Sequence, residues 1–378
     1  MSEPKRALVI GSGVAGAALA TELARERRPV VLIERTSGPH DKVCGEFLSG
    51  EAVRYLRDLG VDPIGLGAVP INAVRVCSGK RVATARLPFP ALSLSRRVLD
   101  EAMLRRASAC GAEIRRGVRV RSLSRRDSIW HAQCESDETI RADAAFLATG
   151  KHDLRGWKRP QGVQSDLIAF KLHWRLASSE AVKLDRHVEL MLFPGGYAGL
   201  EPVENGSANL CLVVRDRDFQ AVGRTWGALL TALRSACPHL DRRLTDATPC
   251  WPRPLAISSI PYGYVRSSSE GLWHLGDQAA VIPSFSGDGM ALALHSARVA
   301  ARCYIAGQSA ATYQSQFGRD VGAQVGRATL LSRIAVDPAG QQLVAAGIRI
   351  PGLMSQVARA TRVPHHALRR VALAGGCA

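Results

Sequence analysis

Apolar residues bunch first at Ala7 to Ile10 and again at Val30 to Ile33. Each run is short and bounded by polar or turn-forming positions, as expected of strands buried on both faces. Between them, Ala17 to Arg27 is rich in Ala, Leu and Glu, which predicts a helix. Leu99, Ala102, Met103, Ala107 and Cys110 recur at helical spacing, so the segment that opens with Leu94 to Leu104 is read as an amphipathic helix. Ala144 to Ala148 and Leu272 to Leu275 read as further short strands. In the middle of the chain Leu167 to Leu176, His187 to Phe193 and Ala208 to Val214 read as strands, with a turn at Pro194-Gly195-Gly196-Tyr197. Ala310 to Leu331, Ala339 to Ala346, Leu353 to Ala360 and Ala367 to Leu373 read as helices, punctuated by Pro338, Pro351 and Pro364.

The 378 residues suggest two or three domains with a core that needs neither disulfides nor structural metal. The shares of apolar residues (46%) and charged residues (22%) exclude a disordered chain, a collagen-like repeat and a coiled coil. The formal charge is +17, and 43 of the 50 basic residues are Arg. Two readings stand for this excess: Arg-rich coding, or attraction to an anion such as a phosphorylated cofactor, an acidic carrier or an anionic membrane face. Basic residues cluster at Arg115 to Arg126 without interleaved aromatics, and no nucleic-acid-binding signature accompanies them, so no nucleic acid partner is expected. Nine Cys are scattered with no CxxC and no Cys/His spacing suited to zinc. Reduced thiols, a cytoplasmic location, no metal and no disulfide-exchange chemistry follow as expectations. No signal segment and no apolar run of membrane-spanning length is present.

Gly11-Ser12-Gly13-Val14-Ala15-Gly16 follows the first apolar run at once, and Glu34 ends the second. Strand, GxGxxG, helix, strand and acid stand in the order of a dinucleotide-binding unit. Gly11 allows a tight turn, Gly13 lets a pyrophosphate approach the backbone, and Gly16 lets helix and strand pack closely. The helix start at Val14 and Ala15 offers free N–H groups to phosphate, and Glu34, followed by Arg35, offers a carboxylate to ribose hydroxyls. This motif alone leaves FAD and NAD both open.

Two later segments decide for flavin. Leu272 to Ala297 contains Gly276-Asp277, then Pro283, then Gly287-Asp288-Gly289-Met290 opening a helix. The segment resembles the strand–GD–loop–P–GxG–helix stretch of flavoproteins similar to p-hydroxybenzoate hydroxylase. That resemblance implies that Asp277 binds the ribityl or ribose side of FAD and that the loop glycines leave room for the flat ring. Arg96 opens an R-x-x-L-D pattern of the same flavoproteins, which implies a contact with the FAD phosphates or flavin. A third motif is altered: Thr149-Gly150 stands where the hydroxylases usually have Asp-Gly, with Arg155 downstream. Gly150 is retained as a cofactor contact, while NAD(P)H or another electron donor remains open.

Lys42 to Ser49 carries Cys44-Gly45-Glu46 and resembles the Cys-Gly segment of the geranylgeranyl-reductase-like branch, where the loop faces the flavin. Cys44 is read either as a residue that tunes or protonates at the ring or as a small packed thiol. Glu46 is read either as a proton donor, if dryness raises its pKa, or as a cap for a helix from Glu51 to Leu59. His173 and Trp174 alternate on a strand and face opposite ways, which leaves His173 a third catalytic candidate. PGGYAGLEPVENGSANLCLVV resembles PGGYxWxFP and ANVGLGV of prenyl reductases, but Gly199 replaces the Trp and Glu201 the Phe of that pattern. Lys80 in a hairpin turn and the lone Trp174 read as structural, which does not favour a flavin halogenase. His295 reads as helix packing.

The resemblance implies a mixed α/β protein with a Rossmann-like FAD-binding domain, an antiparallel-sheet substrate domain and C-terminal helices. The expected limits are 1–75, 93–165 and 255–308 for the FAD-binding domain, 76–92 and 166–254 for the substrate domain, and 309–378 for the helical region. Monooxygenation of an aromatic or polyketide-like substrate is the favoured reaction, because no dedicated catalytic base stands out. The alternative is reduction of a C=C bond in a lipid or isoprenoid. A basic binding protein without turnover is a third reading, opposed by the intact GD–P–GxG segment. The partner is a small organic substrate, lipophilic or carrier-linked. Ile348, Ile350, Leu353 and Met354, flanked by Arg349, Arg359 and Arg362, suggest either contact with a membrane or a helical cover.

Overall fold

The computed structural model describes residues 6–347, 350 and 352–371. Five parallel strands form one sheet in the spatial order Trp273–His274, Ala144–Leu147, Ala7–Ile10, Val30–Glu34, Glu113–Arg116. The central strands are wholly buried, which explains their unbroken apolar runs. On one face lie the helices Val14–Arg25, Arg96–Ala109 and Gly289–Ile305, with the core of the molecule between. The other face is covered by a three-stranded sheet, Val120–Arg126, Ile129–Cys134 and Thr139–Ala142, through Leu123, Trp130 and Ile140.

A second sheet of nine strands is antiparallel except where His187–Phe193 runs parallel to Val69–Ser78. Its two faces obey period-two alternation. Phe170, Leu172, Trp174, Leu210 and Leu212 pack under the helices between Asp216 and Leu244. Lys171, His173, Asn209 and Cys211 turn the other way, toward the loop 41–49. Gly196–Val203, read from sequence only as the end of a turn, is a full strand paired on both sides, because the turn shortens to Pro194-Gly195. Strands Val69–Ser78 and Arg81–Ser93 both belong to this sheet, and Leu255–Ser258 pairs with Ile168–Lys171. The boundaries at 75/76, 92/93 and 254/255 therefore move, since backbone pairing carries 69–93 and 255–258 with the nine-stranded sheet.

The C-terminal helices Ala310–Val336, Pro338–Gly347, Leu353–Ala360 and His365–Val371 lie where the sequence pattern sets them. Ile348, Arg349, Pro351 and Leu373 lie outside the described residues. Among the described residues no helix is long and apolar enough to cross a membrane. The eight described cysteines are free thiols.

Candidate cofactor and catalytic site

Two adjoining cavities, of about 550 and 140 Å³, lie between the parallel sheet and the nine-stranded sheet. The larger is built on the first turn of the chain. Gly11 adopts φ +103°, and a Cβ there would meet Ala148 O at 2.5 Å. A Cβ on Gly16 would stand 1.9 Å from Gly11 O, so the helix and strand touch as the glycine spacing predicts. Val14–Arg25 starts at Gly13 with no side-chain cap, so its first amides point bare into the cavities. A Cβ on Gly13 would sit 3.3 Å from Arg96 Nη2 and 3.8 Å from Lys42 Nζ. Asp100 holds both cations, accepting from Arg96 Nε at 2.8 Å and from Lys42 Nζ at 2.8 Å. Free amides and two cations around a side-chain-free corner suit a pyrophosphate.

Glu34 and Arg35 line the same cavity. Burial pushes the Glu34 carboxyl up, yet hydrogen bonds from Ser12 and Thr36 and the charge of Lys42 hold it below its ordinary value. It is an ionised acceptor, as a ribose site requires. Gly150 and Asp277 reach both cavities, and Lys151 Nζ lies 3.3 Å from Asp277 Oδ2.

The smaller cavity is lined by Cys44, Gly45, Glu46, Gly276, Gly287, Gly289 and Met290. A Cβ on Gly45, Gly150 or Gly289 would meet open space. Gly289–Ile305 also begins without a side-chain cap, its amides free for a ring carbonyl. Bare backbone around a slot, next to an anion site, fits an isoalloxazine joined to a pyrophosphate.

Two residues expected at this cavity stand apart from it. Pro283 is buried between the lining residues Ile282 and Ser284 and does not itself line the cavity. Asp288 is turned inward by the left-handed Gly287 (φ +64°). Its carboxylate accepts from Ser49 Oγ at 2.9 Å, Arg362 Nη1 at 3.1 Å and Val363 N at 3.1 Å, and it tethers the C-terminal helices rather than contacting the cavity.

Glu46 departs most from expectation. Its backbone is left-handed (φ +65°), which aims the side chain away from the helix 50–58 and into the nine-stranded sheet. The helix is capped by Ser49. Fully buried, Glu46 accepts from Lys171 Nζ at 2.5 Å, His173 Nε2 at 2.7 Å and the backbone N of Arg96 at 2.8 Å. Burial opposes its ionisation, but Lys171 and His173 outweigh burial and bring the carboxyl below its ordinary value. The expectation of a raised pKa is thus overturned by a counter-charge. Asp41, Glu46 and His173 bring ligand atoms within 4.8 Å of one another, but Lys171 Nζ already stands between Asp41 (3.5 Å) and Glu46 as the local cation.

His173 is buried behind Glu46 and packs at a tilt against Trp251, with Trp174 in the opposite core. Cys44 lines the cavity, while its carbonyl and that of Gly45 accept from Asn209 Nδ2 at 3.1 and 2.9 Å. Sequence reading misses Lys171 and Asn209, and meets Glu201 only as the loss of an aromatic. The available signal was a polar residue at alternate positions of an apolar strand, as in Phe170-Lys171-Leu172-His173. Lys80 sits in an exposed hairpin turn, and His295 is packed between Tyr55 and Asp320.

Comparison with known proteins agrees with this geometry. Residues 5–150 match the family model described as "FAD binding domain". The menaquinone reductase of Mycobacterium tuberculosis is 27% identical over 325 residues, covering 78% of this chain and 75% of that protein. The squalene monooxygenase of Rattus norvegicus is 38% identical over 85 residues, 22% of this chain and 15% of that protein. The crystal structure of halogenase PltM with phloroglucinol and FAD superposes with a TM-score of 0.75 at 16% identity, over 94% of this chain and 85% of that one. It shares the fold. The chain is a flavin-dependent oxidoreductase whose residues 5–150 match an FAD binding domain.

Proposed function

We propose that this chain reduces a carbon–carbon double bond of a lipophilic substrate, of the isoprenoid or prenylated-quinone class. The observation that carries the reading is the buried cluster of Glu46, Lys171 and His173, set against the ring cavity. The sequence favours monooxygenation because no acid–base group stands out and because Gly199 and Glu201 replace the Trp and Phe of the prenyl reductases; the cluster removes the first of these grounds. Reduction of an alkene needs a proton at one carbon as well as a hydride equivalent at the other. When bound, reduced FAD supplies the hydride equivalent.

The residues divide the work. Gly11, Gly13, Lys42, Arg96 and Glu34 hold the nucleotide, and Asp277 the sugar side. Gly45 and Gly289 leave the slot flat. Apolar Val43, Ala169, Ile260 and Val281 wall the smaller cavity and exclude water from the reacting carbons. The parallel-sheet portion thus carries the cofactor and the nine-stranded sheet shapes the substrate side. NAD(P)H or another carrier delivers electrons.

The match to menaquinone reductase along most of both chains supports this reading. The shorter match to squalene monooxygenase favours a second one, oxygen insertion into a lipophilic or aromatic substrate. One experiment separates them. FAD-loaded protein is reduced anaerobically with NADPH, NADH or dithionite, then given menaquinone, and the product is weighed by mass spectrometry before and after oxygen is admitted. A gain of two hydrogens that remains after air has returned the quinol to the quinone supports reduction of the double bond. Gain of one oxygen atom, only in air, would replace it with the second reading.

A further inference from the structure

Glu201 lies on Gly196–Val203, and its side chain is buried with neither carboxyl oxygen in a hydrogen bond. Such a group is costly as an anion and tolerable as a neutral acid. Its register sets it on the functional face of the sheet: Glu201 pairs with Asn209, and Asn209 pairs with His173, the partner of Glu46. Asn209 Oδ1 is also buried and unpartnered, an acceptor next to a carboxyl that gains a donor by protonation. The charged and titratable groups facing Glu201 are Glu46 and Cys44 from the loop and Lys171 from the sheet, with the Ser93 hydroxyl beside it.

We infer that Glu201 is the proton store of this site and acts through Glu46, as a positioning residue that does not itself touch substrate. Burial, then the charge of Glu46, pushes the Glu201 carboxyl well above its ordinary value, while Lys171 holds Glu46 below its own. Two carboxyls driven apart in this way divide the acid and base roles at neutral pH. What consumes the proton rests on the reductase reading. Held by no hydrogen bond of its own, the Glu201 carboxyl turns to Glu46, and its O–H bond breaks as an O–H bond forms on Glu46. Glu46 passes a proton to the substrate carbon that has gained the electron pair of the double bond. The neighbouring carbon takes the hydride equivalent, and the reduced cofactor is oxidised. The final acceptor is a far stronger base than either carboxylate, so the net transfer runs downhill although Glu46 binds a proton weakly. Asp41, partly exposed at the larger cavity and 3.5 Å from Lys171, leads back to solvent for recharging.

The test compares the FAD-loaded wild type with Glu201→Gln and Glu201→Asp. Infrared spectra in H2O and D2O at pH 7 should show a protonated-carboxyl stretch that shifts in D2O and is lost in Glu201→Gln. Spectra of wild type and Glu201→Gln that superpose would overturn the proton store, whatever the enzyme reduces. In menaquinone turnover, Glu201→Gln should lower kcat at least 10-fold with KM unchanged and lose the alkaline limb of the pH profile, and Glu201→Asp should restore that limb. Equal kcat and pH profiles in all three would overturn the relay. A carboxyl band lost as expected, with no alkene reduced by any form, would instead sink the reductase reading and leave Glu201 protonated.

Discussion

Replacing Lys171 by Met keeps the apolar stem and removes the main counter-charge of a carboxylate that is 0% exposed. Glu46 would keep two of its three donors, His173 and the amide of Arg96. Breaking a buried pair from one side costs about 3–5 kcal/mol, and the remaining donors set the expectation at the lower end, about 3 kcal/mol. Lys171→Met with Glu46→Gln removes both charges, so the cycle should return a coupling of about 2 kcal/mol. The pH dependence follows from the signs. Glu46 is held below its ordinary value, so its contribution is present above the carboxylate range and is lost as pH falls through the folded value. Lys171 is held above its own, because Glu46 outweighs the burial that opposes it, so its contribution is lost only as pH rises through that raised value. The difference between wild type and Lys171→Met should stay flat between about pH 5 and pH 10 and shrink at both ends. Urea unfolding at one fixed excess of FAD, repeated across pH, measures it, because ligand linkage is then the same for every variant. A single-variant cost below about 1 kcal/mol, or a double variant equal to the sum of the singles, would refute the claim that this pair neutralises the loop's buried charge.

Two further outcomes are expected. Asp277→Ala removes a charged acceptor at the junction of the two cavities and frees Lys151; FAD affinity by fluorescence titration should fall about 10- to 100-fold, and an unchanged affinity would displace Asp277 from the cofactor. Arg362→Ala strips Asp288 of its cation and should cost about 2–4 kcal/mol in unfolding, with Asp288→Asn recovering much of it. Burial already holds Asp288 above its ordinary value against the pull of Arg362, so its stabilising share fades as pH rises and the rescue should grow with pH. A rescue that does not change with pH would count against a charge-based account.

The phosphate turn was legible because its chemistry is local: Gly11, Gly13 and Gly16 answer to one turn and one helix start within six residues. The slot was legible for the same reason in Gly287 and Gly289. Asp288 between them was misread because a side chain's direction depends on the left-handed turn before it and on Arg362, 74 residues away. Glu46 was misread similarly. Dryness was foreseen, but Lys171 lies 125 residues on, and the counter-charge reversed the direction of the shift. Gly196–Val203 looks like turn material, with two Gly and a Pro, yet pairing on both edges overrides that propensity. Glu201 was noticed only as the loss of an aromatic. Its meaning depends on cross-strand register, which a linear pattern does not carry.

Glu46 itself shows why the loop is built as it is. A left-handed backbone costs a non-glycine residue about 1–2 kcal/mol, and Gly45, next door, does not take that conformation. The strain is therefore not an accident of a missing glycine; it persists because the side chain is over-determined by its partners. Cys44, Gly45 and Glu46 all line the ring cavity, and with φ positive the Glu46 carboxylate also meets Lys171 and His173 on the sheet. Its carbonyl accepts from Leu94 N, and its carboxylate accepts from the first amide of Arg96–Ala109, where a helix N-terminus favours negative charge. That same helix start carries Arg96 to the corner at Gly13. One residue thus joins the anion site, the ring slot and the proton-bearing face of the second sheet. On the proposed reading, a change of charge at the cofactor reaches Glu46 through the helix start at Arg96, and Glu201 through Glu46, which is the coupling a proton-linked reduction needs.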